Sequence, residues 1–92
     1  LANPIRLEIL AAIAKAEKSV SDIALELQLD ASTVSHSLSL LSKKHLVQHT
    51  PVDKRRIYRL SNAVEASVDG PIVHFVVTTD DGEHFTFETR DP

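Results

Sequence analysis

The spacing of the apolar residues changes near residue 45, and this change restricts the chain to a mixed α and β fold. Before it, Ile5, Ile9 and Ile13 recur at every fourth position, which is typical of one buried helix face. After it, β-branched and aromatic residues fill segments 72–79 and 83–89, which is typical of strands. The 92 residues suffice for one small domain but not for two independent cores. We therefore predict an α+β fold.

The first part of the chain predicts two helices. Asn3 and Pro4 are typical of the N-cap and the first position of a helix, which we expect to fade across residues 15–18. Ser19 or Ser21 can cap a second helix, and either choice places apolar side chains on its inner face.

A third helix should begin at Ala31, with Asp30 as its N-cap. Three apolar residues at positions i, i+4 and i+7 should face the core: Val34, Leu38 and Leu41. The opposite face carries Ser32, His36, Ser39 and Lys43, with Thr33 and Ser35 on its flanks. Two short helices joined by a few residues, the second with a polar outer face, predict a helix-turn-helix.

Two hairpins should follow. Strand candidates 46–50 and 56–60 flank the charged turn 51–55, which makes a β-wing with a basic tip. Segment 63–68 is a weaker strand candidate. The two C-terminal strand segments are separated by an Asp-Asp-Gly turn.

The loop length of this additional C-terminal β-hairpin follows from its side-chain pattern. A two-residue loop would mix His84 and Glu88 with apolar residues on one face. A three-residue loop, with Gly82 in the left-handed region, separates polar from apolar side chains. It gathers Val73, Phe75, Val77, Phe85 and Phe87 on one face and places His74 opposite Glu88. This apolar face must pack on the helices or on a second subunit, because exposed β-surface of this kind promotes aggregation.

The net charge of −3 hides an uneven distribution. Residues 31–60 carry six basic and one acidic side chain, a net +5, whereas residues 61–92 carry a net −6. Phosphate binding depends on local potential, so the acidic average does not exclude a nucleic-acid partner.

Several linked segments resemble the ArsR/SmtB family of winged helix-turn-helix transcriptional regulators. LANPIRLEIL at residues 1–10 is similar to the opening helix of the family, and LDASTVSHSLSLL at residues 29–41 is similar to its recognition helix. SVSDIA at residues 19–24, HLV at 45–47 and RIYRL at 56–60 resemble the adjoining parts in the same order. The resemblance implies a homodimeric, cytoplasmic repressor that reads a palindromic operator in double-stranded DNA.

The expected DNA contacts come from the recognition helix 31–44 and the wing 51–56. Short polar side chains allow a helix to approach base edges, and cations neutralise phosphates. The candidate residues are Ser32, Thr33, Ser35, His36, Ser39, Lys43, Lys44, Lys54, Arg55 and Arg56. We expect Arg6 to form a helix salt bridge and Tyr58 to pack in the wing, so neither belongs to this set.

We expect neither a metal site nor a cofactor. Relatives that sense metal carry cysteines where this chain has Ser19 and Ser21, and the chain has no cysteine. The C-terminal segment, where other relatives place a metal-binding helix, has a strand pattern. Enzymatic motifs are missing too, and the paired Asp80 and Asp81 are explained by the turn.

Two further possibilities for the function remain open at this stage. The winged helix could serve as a protein-interaction module without specific DNA binding, although a basic wing argues against this. A small-molecule effector could bind near the C-terminal hairpin.

We divide the chain into a DNA-binding unit, 1–60, and an extension, 61–92, which belongs to the same domain or serves dimerisation. The abrupt start at Leu1 suggests that a preceding helix is missing, and we expect no membrane segment.

Overall fold

The computed structural model describes residues 3–90, which form three helices and two antiparallel sheets. In chain order the elements are α1 (Pro4–Lys15), β1 (Lys18–Ser19), α2 (Val20–Leu27), α3 (Ala31–Lys43), β2 (Val47–Val52), β3 (Arg55–Leu60), β4 (Val64–Asp69), β5 (Ile72–Thr78) and β6 (His84–Arg90). One sheet has the strand order β1-β3-β2 and the other β4-β5-β6. The predicted α+β fold with a winged helix-turn-helix and an additional C-terminal hairpin is confirmed.

The helix starts follow from their caps. The Asn3 side chain accepts a hydrogen bond from the Ile5 N–H at 2.9 Å. Ser19, not Ser21, caps α2, and it forms a reciprocal capping box with Asp22. Asp30 occupies the N-cap position of α3, as predicted, although its side chain makes no capping hydrogen bond. The backbone of Asp30 has the extended conformation of an N-cap without that bond.

The wing has a tighter turn than the sequence predicted. Its strands run to Val52 and restart at Arg55, so the turn consists of Asp53 and Lys54 instead of five residues. Both turn residues have positive φ, 48° and 66°, as a two-residue hairpin with native strand twist requires. Pro51, which the sequence predicts to lie in the turn, lies instead in β2, where a proline is tolerated because β2 is an edge strand.

The two-residue strand β1 was missed by sequence reasoning. Lys18 pairs with Tyr58 and Ser19 pairs with Ile57, which joins the segment between α1 and α2 to the wing. Lys18 and Ser19 carry no strand pattern of their own. Their extended conformation is set by pairing with β3, about forty residues away in the chain, so local sequence does not reveal it.

The C-terminal sheet has the predicted register. Phe75 lies opposite Phe87, Thr78 lies opposite His84, and Gly82 has a φ of 84°, as the three-residue loop requires. The His74 and Glu88 side chains approach to 3.4 Å across the strands. The weaker strand candidate is confirmed as β4, one residue later than predicted.

One hydrophobic core joins the helices to this sheet. Its fully buried larger side chains come from all three helices and from β5: Ile9, Leu10, Ile23, Val34, Leu38, Leu41, Val73 and Phe75. The ring of Phe75 stacks on that of Phe87 with centroids 4.8 Å apart. Val73, Phe75 and Val77 of the apolar sheet face are buried in this core and Phe87 packs against it, whereas Phe85 is 42% exposed. Within residues 3–90 no helix is long and apolar enough to cross a membrane.

Candidate nucleic-acid interface

The outer face of α3 is polar and accessible, as predicted. Val34, Leu38 and Leu41 are fully buried on the inner side and fix the rotation of the helix. This rotation exposes Ser32, Ser35, His36, Ser39 and Lys43 and leaves Thr33 half-buried. The exposed hydroxyl groups can donate and accept hydrogen bonds, and their small size leaves room for close approach to base edges.

A recess on one flank of α3 connects the helix to the wing. It has a volume of about 380 Å³ and is lined by Ser19, Val20, Ser21, Ser35, Lys54, Arg55 and Arg56. Ser35 and the three wing cations, which are predicted site residues separated by about twenty positions in the chain, are thereby brought together.

A second recess lies on the opposite flank. At about 100° per residue, Thr33 and His36 turn away from Ser32 in the sense opposite to Ser35. Ser32, Thr33 and His36 line a recess of about 410 Å³. The other lining residues are Asn3, Ile5 and Arg6 of the α1 segment, and Ser37 and Leu40. The outer face of α3 thus lies between a cationic wing and the N-terminal turn of α1.

Arg6 is a candidate that sequence reasoning set aside. It is half-buried, and within residues 3–90 no carboxylate lies at ion-pair distance from its guanidinium. The expected helix salt bridge is therefore not formed there. The sequence contained the signal, because Asn3, Ile9 and Leu10, one turn away on either side, carry no charge.

The outer part of the wing is exposed to solvent. All residues from 48 to 56 are exposed. In the described part of the chain, the Lys54 and Arg56 side chains form no hydrogen bond or ion pair with other side chains. Arg59 instead donates to Thr50 at 2.6 Å and to Gln48 at 3.3 Å across the hairpin. Lys54 and Arg56 are therefore available to an anionic partner.

Arg55 differs from its two neighbours. Its Nη2 donates to Ser19 Oγ at 2.7 Å and lies 3.7 Å from Asp22 Oδ2. Hydrogen bonds from the Ser19 side chain and backbone, then the charges of Arg55 and Lys18, hold the pKa of Asp22 below its usual value. No local pattern in the sequence indicates the Arg55–Ser19 contact, which spans 36 positions.

The two lysines at the end of α3 are divided between different surroundings. Lys43 is the last residue of the helix and is exposed. Lys44 lines a cavity of about 330 Å³ between this helix end and the C-terminal hairpin, with Leu46, Val77 and Phe85 among the apolar lining residues. Lys44 therefore shares this cavity with residues of the C-terminal hairpin.

A metal centre finds no donor set in the described residues 3–90, where no three His, Asp or Glu side chains are close enough together to hold an ion. His45 has a positive φ at the end of α3, whereas His49 lies in β2 against Tyr58, with ring centroids 5.2 Å apart.

Comparison with known proteins agrees with this geometry. The sequence pattern described as "Bacterial regulatory protein, arsR family" matches residues 3–49, which include all three helices. The chain is 36% identical over 62 residues to a transcriptional repressor SmtB homolog of Synechocystis, covering 67% of this chain and 47% of the relative. It thus spans about half the length of that relative.

Two solved structures are similar to about two thirds of this chain. One is the homodimeric winged helix-turn-helix DNA-binding domain of Mb0332 from Mycobacterium bovis, a possible ArsR-family regulator. It is 34% identical, with a TM-score of 0.62 over 64% of this chain and 55% of that chain. The other is the transcriptional regulator HlyU of Vibrio vulnificus, 33% identical, with a TM-score of 0.63 over 66% of this chain and 64% of that chain.

The fold and the polar outer face of α3 define a winged helix-turn-helix DNA-binding domain of a transcriptional regulator. The chain belongs to the arsR family of bacterial regulatory proteins. The expectation that it is not an enzyme is confirmed, because the family and the named relatives are regulators.

Proposed function

We propose that the chain binds duplex DNA sequence-specifically, as a homodimeric repressor on a palindromic operator in the cytoplasm. The observation that carries this proposal is the accessible polar face of α3, held between the wing and Arg6. A recognition helix reads few base pairs, so a symmetric pair of helices on a palindrome supplies the missing specificity. The repressor name of the Synechocystis relative and the homodimer of the M. bovis domain support the finer points.

The ten predicted site residues divide by chemistry. Five short or neutral side chains on α3 would contact base edges: Ser32, Thr33, Ser35, His36 and Ser39. Five cations would contribute to phosphate binding: Lys43, Lys44, Lys54, Arg55 and Arg56. Most of the affinity should therefore depend on salt, whereas most of the specificity should not.

The test is fluorescence anisotropy with duplexes selected from a random pool, repeated over a salt series. We expect a palindromic winner and a steep loss of affinity with salt. The slope of log affinity against log salt is negative. The double variant Lys54→Ala/Arg56→Ala should make this slope less steep by about 1.8 and lower affinity roughly tenfold for each lost contact.

The matched control is Lys15→Ala/Arg90→Ala, which removes the same charge from a recess between α1 and β6, away from α3. It should leave the salt slope nearly unchanged. Equal losses in both double variants would mean that DNA responds to net charge alone. No enriched sequence for the wild-type chain would contradict specific binding and favour the protein-interaction alternative.

The dimer is tested separately by light scattering at high concentration, with and without the selected palindrome. A mass of two chains per palindrome supports the proposal, and a monodisperse monomer in both conditions contradicts it. Most of the apolar face of the C-terminal sheet is buried within the chain, but Phe85 is 42% exposed and remains accessible to a second subunit.

For a small-molecule effector we propose the cavity beside Lys44. Its volume of about 330 Å³ falls within the usual range of ligand sites, and Phe85, 42% exposed, lies at its edge. A ligand there would touch the end of α3 and the C-terminal hairpin together. Resonance shifts of Phe85 on titration with a fragment library would locate it; shifts confined to other surfaces would contradict this position.

A further inference from the structure

The outer half of the wing has little to hold it in place apart from one arginine. Residues 48–56 are all exposed, so apolar packing does not fix their angle to α3. In the described part of the chain, both polar side-chain links from this segment to the helical part come from Arg55, one to Ser19 and one to Asp22. Arg55 also lies directly after the two-residue turn, where it pairs with Val52. Its position therefore sets the position of the tip.

The receiving group is buried and hydrogen-bonded. Ser19 is 2% exposed, and its Oγ accepts the Asp22 N–H at 3.2 Å as well as the Arg55 guanidinium at 2.7 Å. The Asp22 carboxylate in turn accepts the Ser19 N–H at 3.4 Å. This capping box starts α2, which packs on α3, so Arg55 is tied to the frame that carries the recognition helix.

The same point is anchored by the backbone. Ser19 pairs with Ile57 in the β1–β3 ladder. Arg55 lies two residues before Ile57, and side chains two apart share a strand face. The ladder holds the base of the wing, and Arg55 extends that hold to its tip.

We propose that Arg55 is a positioning residue. Its hydrogen bond to Ser19 and its ion pair with Asp22 hold the wing at the angle that presents Lys54 and Arg56 to the DNA backbone. This rests on the proposed function and replaces the phosphate role of Arg55 within it. Holding the wing before binding lowers the conformational cost of forming the complex, because a larger fraction of molecules is already competent.

The experiment compares Arg55→Ala, Asp22→Asn and Lys54→Ala with the wild-type chain in two measurements. The first is ¹⁵N relaxation of the Asp53 and Lys54 amides (the residue 54 amide in each variant) without DNA, and the second is the salt dependence of duplex affinity. Asp22→Asn keeps an oxygen for the Ser19 N–H, so α2 retains its cap while Arg55 loses its charged partner. Circular dichroism verifies that each variant is folded.

We expect Arg55→Ala and Asp22→Asn to increase the mobility of the wing tip and to weaken binding about two- to fivefold, as for an exposed ion pair, with an unchanged salt slope. Lys54→Ala should leave the mobility of the wing tip unchanged. It should make the slope of log affinity against log salt less steep by about 0.9, as a lost phosphate contact does.

Two results would overturn the proposal. One is a wing tip equally rigid in Arg55→Ala and wild type; the other is a slope reduced by about 0.9 in Arg55→Ala, which would make Arg55 a phosphate ligand. If the wild-type chain binds no duplex, the proposed function fails, but relaxation still decides whether Arg55 holds the wing. The two failures are therefore distinguishable.

Discussion

Two of the hairpins formed by residues 3–90 have similar lengths but are used in opposite ways. The wing, β2–β3, is exposed over residues 48–56 and carries the cations Lys54, Arg55 and Arg56. The C-terminal hairpin, β5–β6, has an acidic turn and buries alternate residues of β5 in the core. Strand pairing is common to both, so the side chains decide whether a hairpin serves binding or stability.

The difference lies in where the free energy is placed. A strand that buries every second side chain contributes hydrophobic stabilisation and tolerates few substitutions. The outer part of the wing, residues 48–56, is exposed and contributes little apolar burial, and its cations Lys54 and Arg56 remain free for a partner. Variants in the two hairpins should therefore separate folding from binding.

The largest effect is expected at Phe75, which is fully buried and stacks on Phe87. Phe75→Ala should lower the free energy of unfolding by about 3–5 kcal/mol, because a cavity replaces the ring. Urea denaturation measures this change. Phe75→Leu, expected to cost about 1–1.5 kcal/mol, keeps the test usable if the alanine variant is unfolded. Val52→Ala in the wing is the control, since that side chain is 47% exposed, and an equal loss there would contradict the contrast.

The next effect concerns the cation outside the wing. If both flanks of α3 face phosphates, Arg6→Ala should weaken duplex binding roughly tenfold and reduce the salt slope by about 0.9. Lys15→Ala removes the same charge from the other end of α1 and should leave the slope unchanged. An Arg6 variant with wild-type affinity and slope would confine the electrostatic contacts to the wing and the end of α3.

Glycine should be the favoured residue at both positive-φ turn positions, Gly82 and Lys54. Gly82 has a φ of 84°, and a Cβ there meets nothing within 4 Å, so Gly82→Ala should cost about 1 kcal/mol through backbone strain alone. Lys54 has a φ of 66° without being glycine, so Lys54→Gly should stabilise the fold by about 0.5–1 kcal/mol. Thermal denaturation tests both, and a destabilised Lys54→Gly variant would show that the lysine side chain supports the turn.

The smallest effect is the pH response of the acidic turn. Hydrogen bonds from the Thr79 hydroxyl and the Glu83 N–H lower the pKa of Asp81 from its usual 3.8. A lowered pKa in the folded state means that this stabilisation is present above pH 3.8 and is lost as the pH falls through the folded value. The difference in melting temperature between wild type and Asp81→Asn should therefore shrink below that pH. Asp80→Asn, whose side chain makes no hydrogen bond within the described turn, should show no such trend.

Local patterns predicted much of this fold. Helical periodicity located α3 and its buried residues Val34, Leu38 and Leu41, and the polar alternation chose the correct loop around Gly82. The polar face of the candidate interface followed from the same periodicity. Local patterns failed at β1 and at the wing turn, where pairing with β3 sets the conformation of residues that have no strand pattern or contain a proline.

By itself the sequence determined the helix-turn-helix, the basic wing, the register of the C-terminal hairpin and the family, because these depend on spacing within short segments. The tertiary structure decided which neighbours meet: Arg55 reaches Ser19 and Asp22, Arg6 joins Ser32 and His36, and Phe75 enters the helical core. Such contacts join residues far apart in the chain. Their energies depend on distance, burial and orientation, and these exist only once the chain has folded.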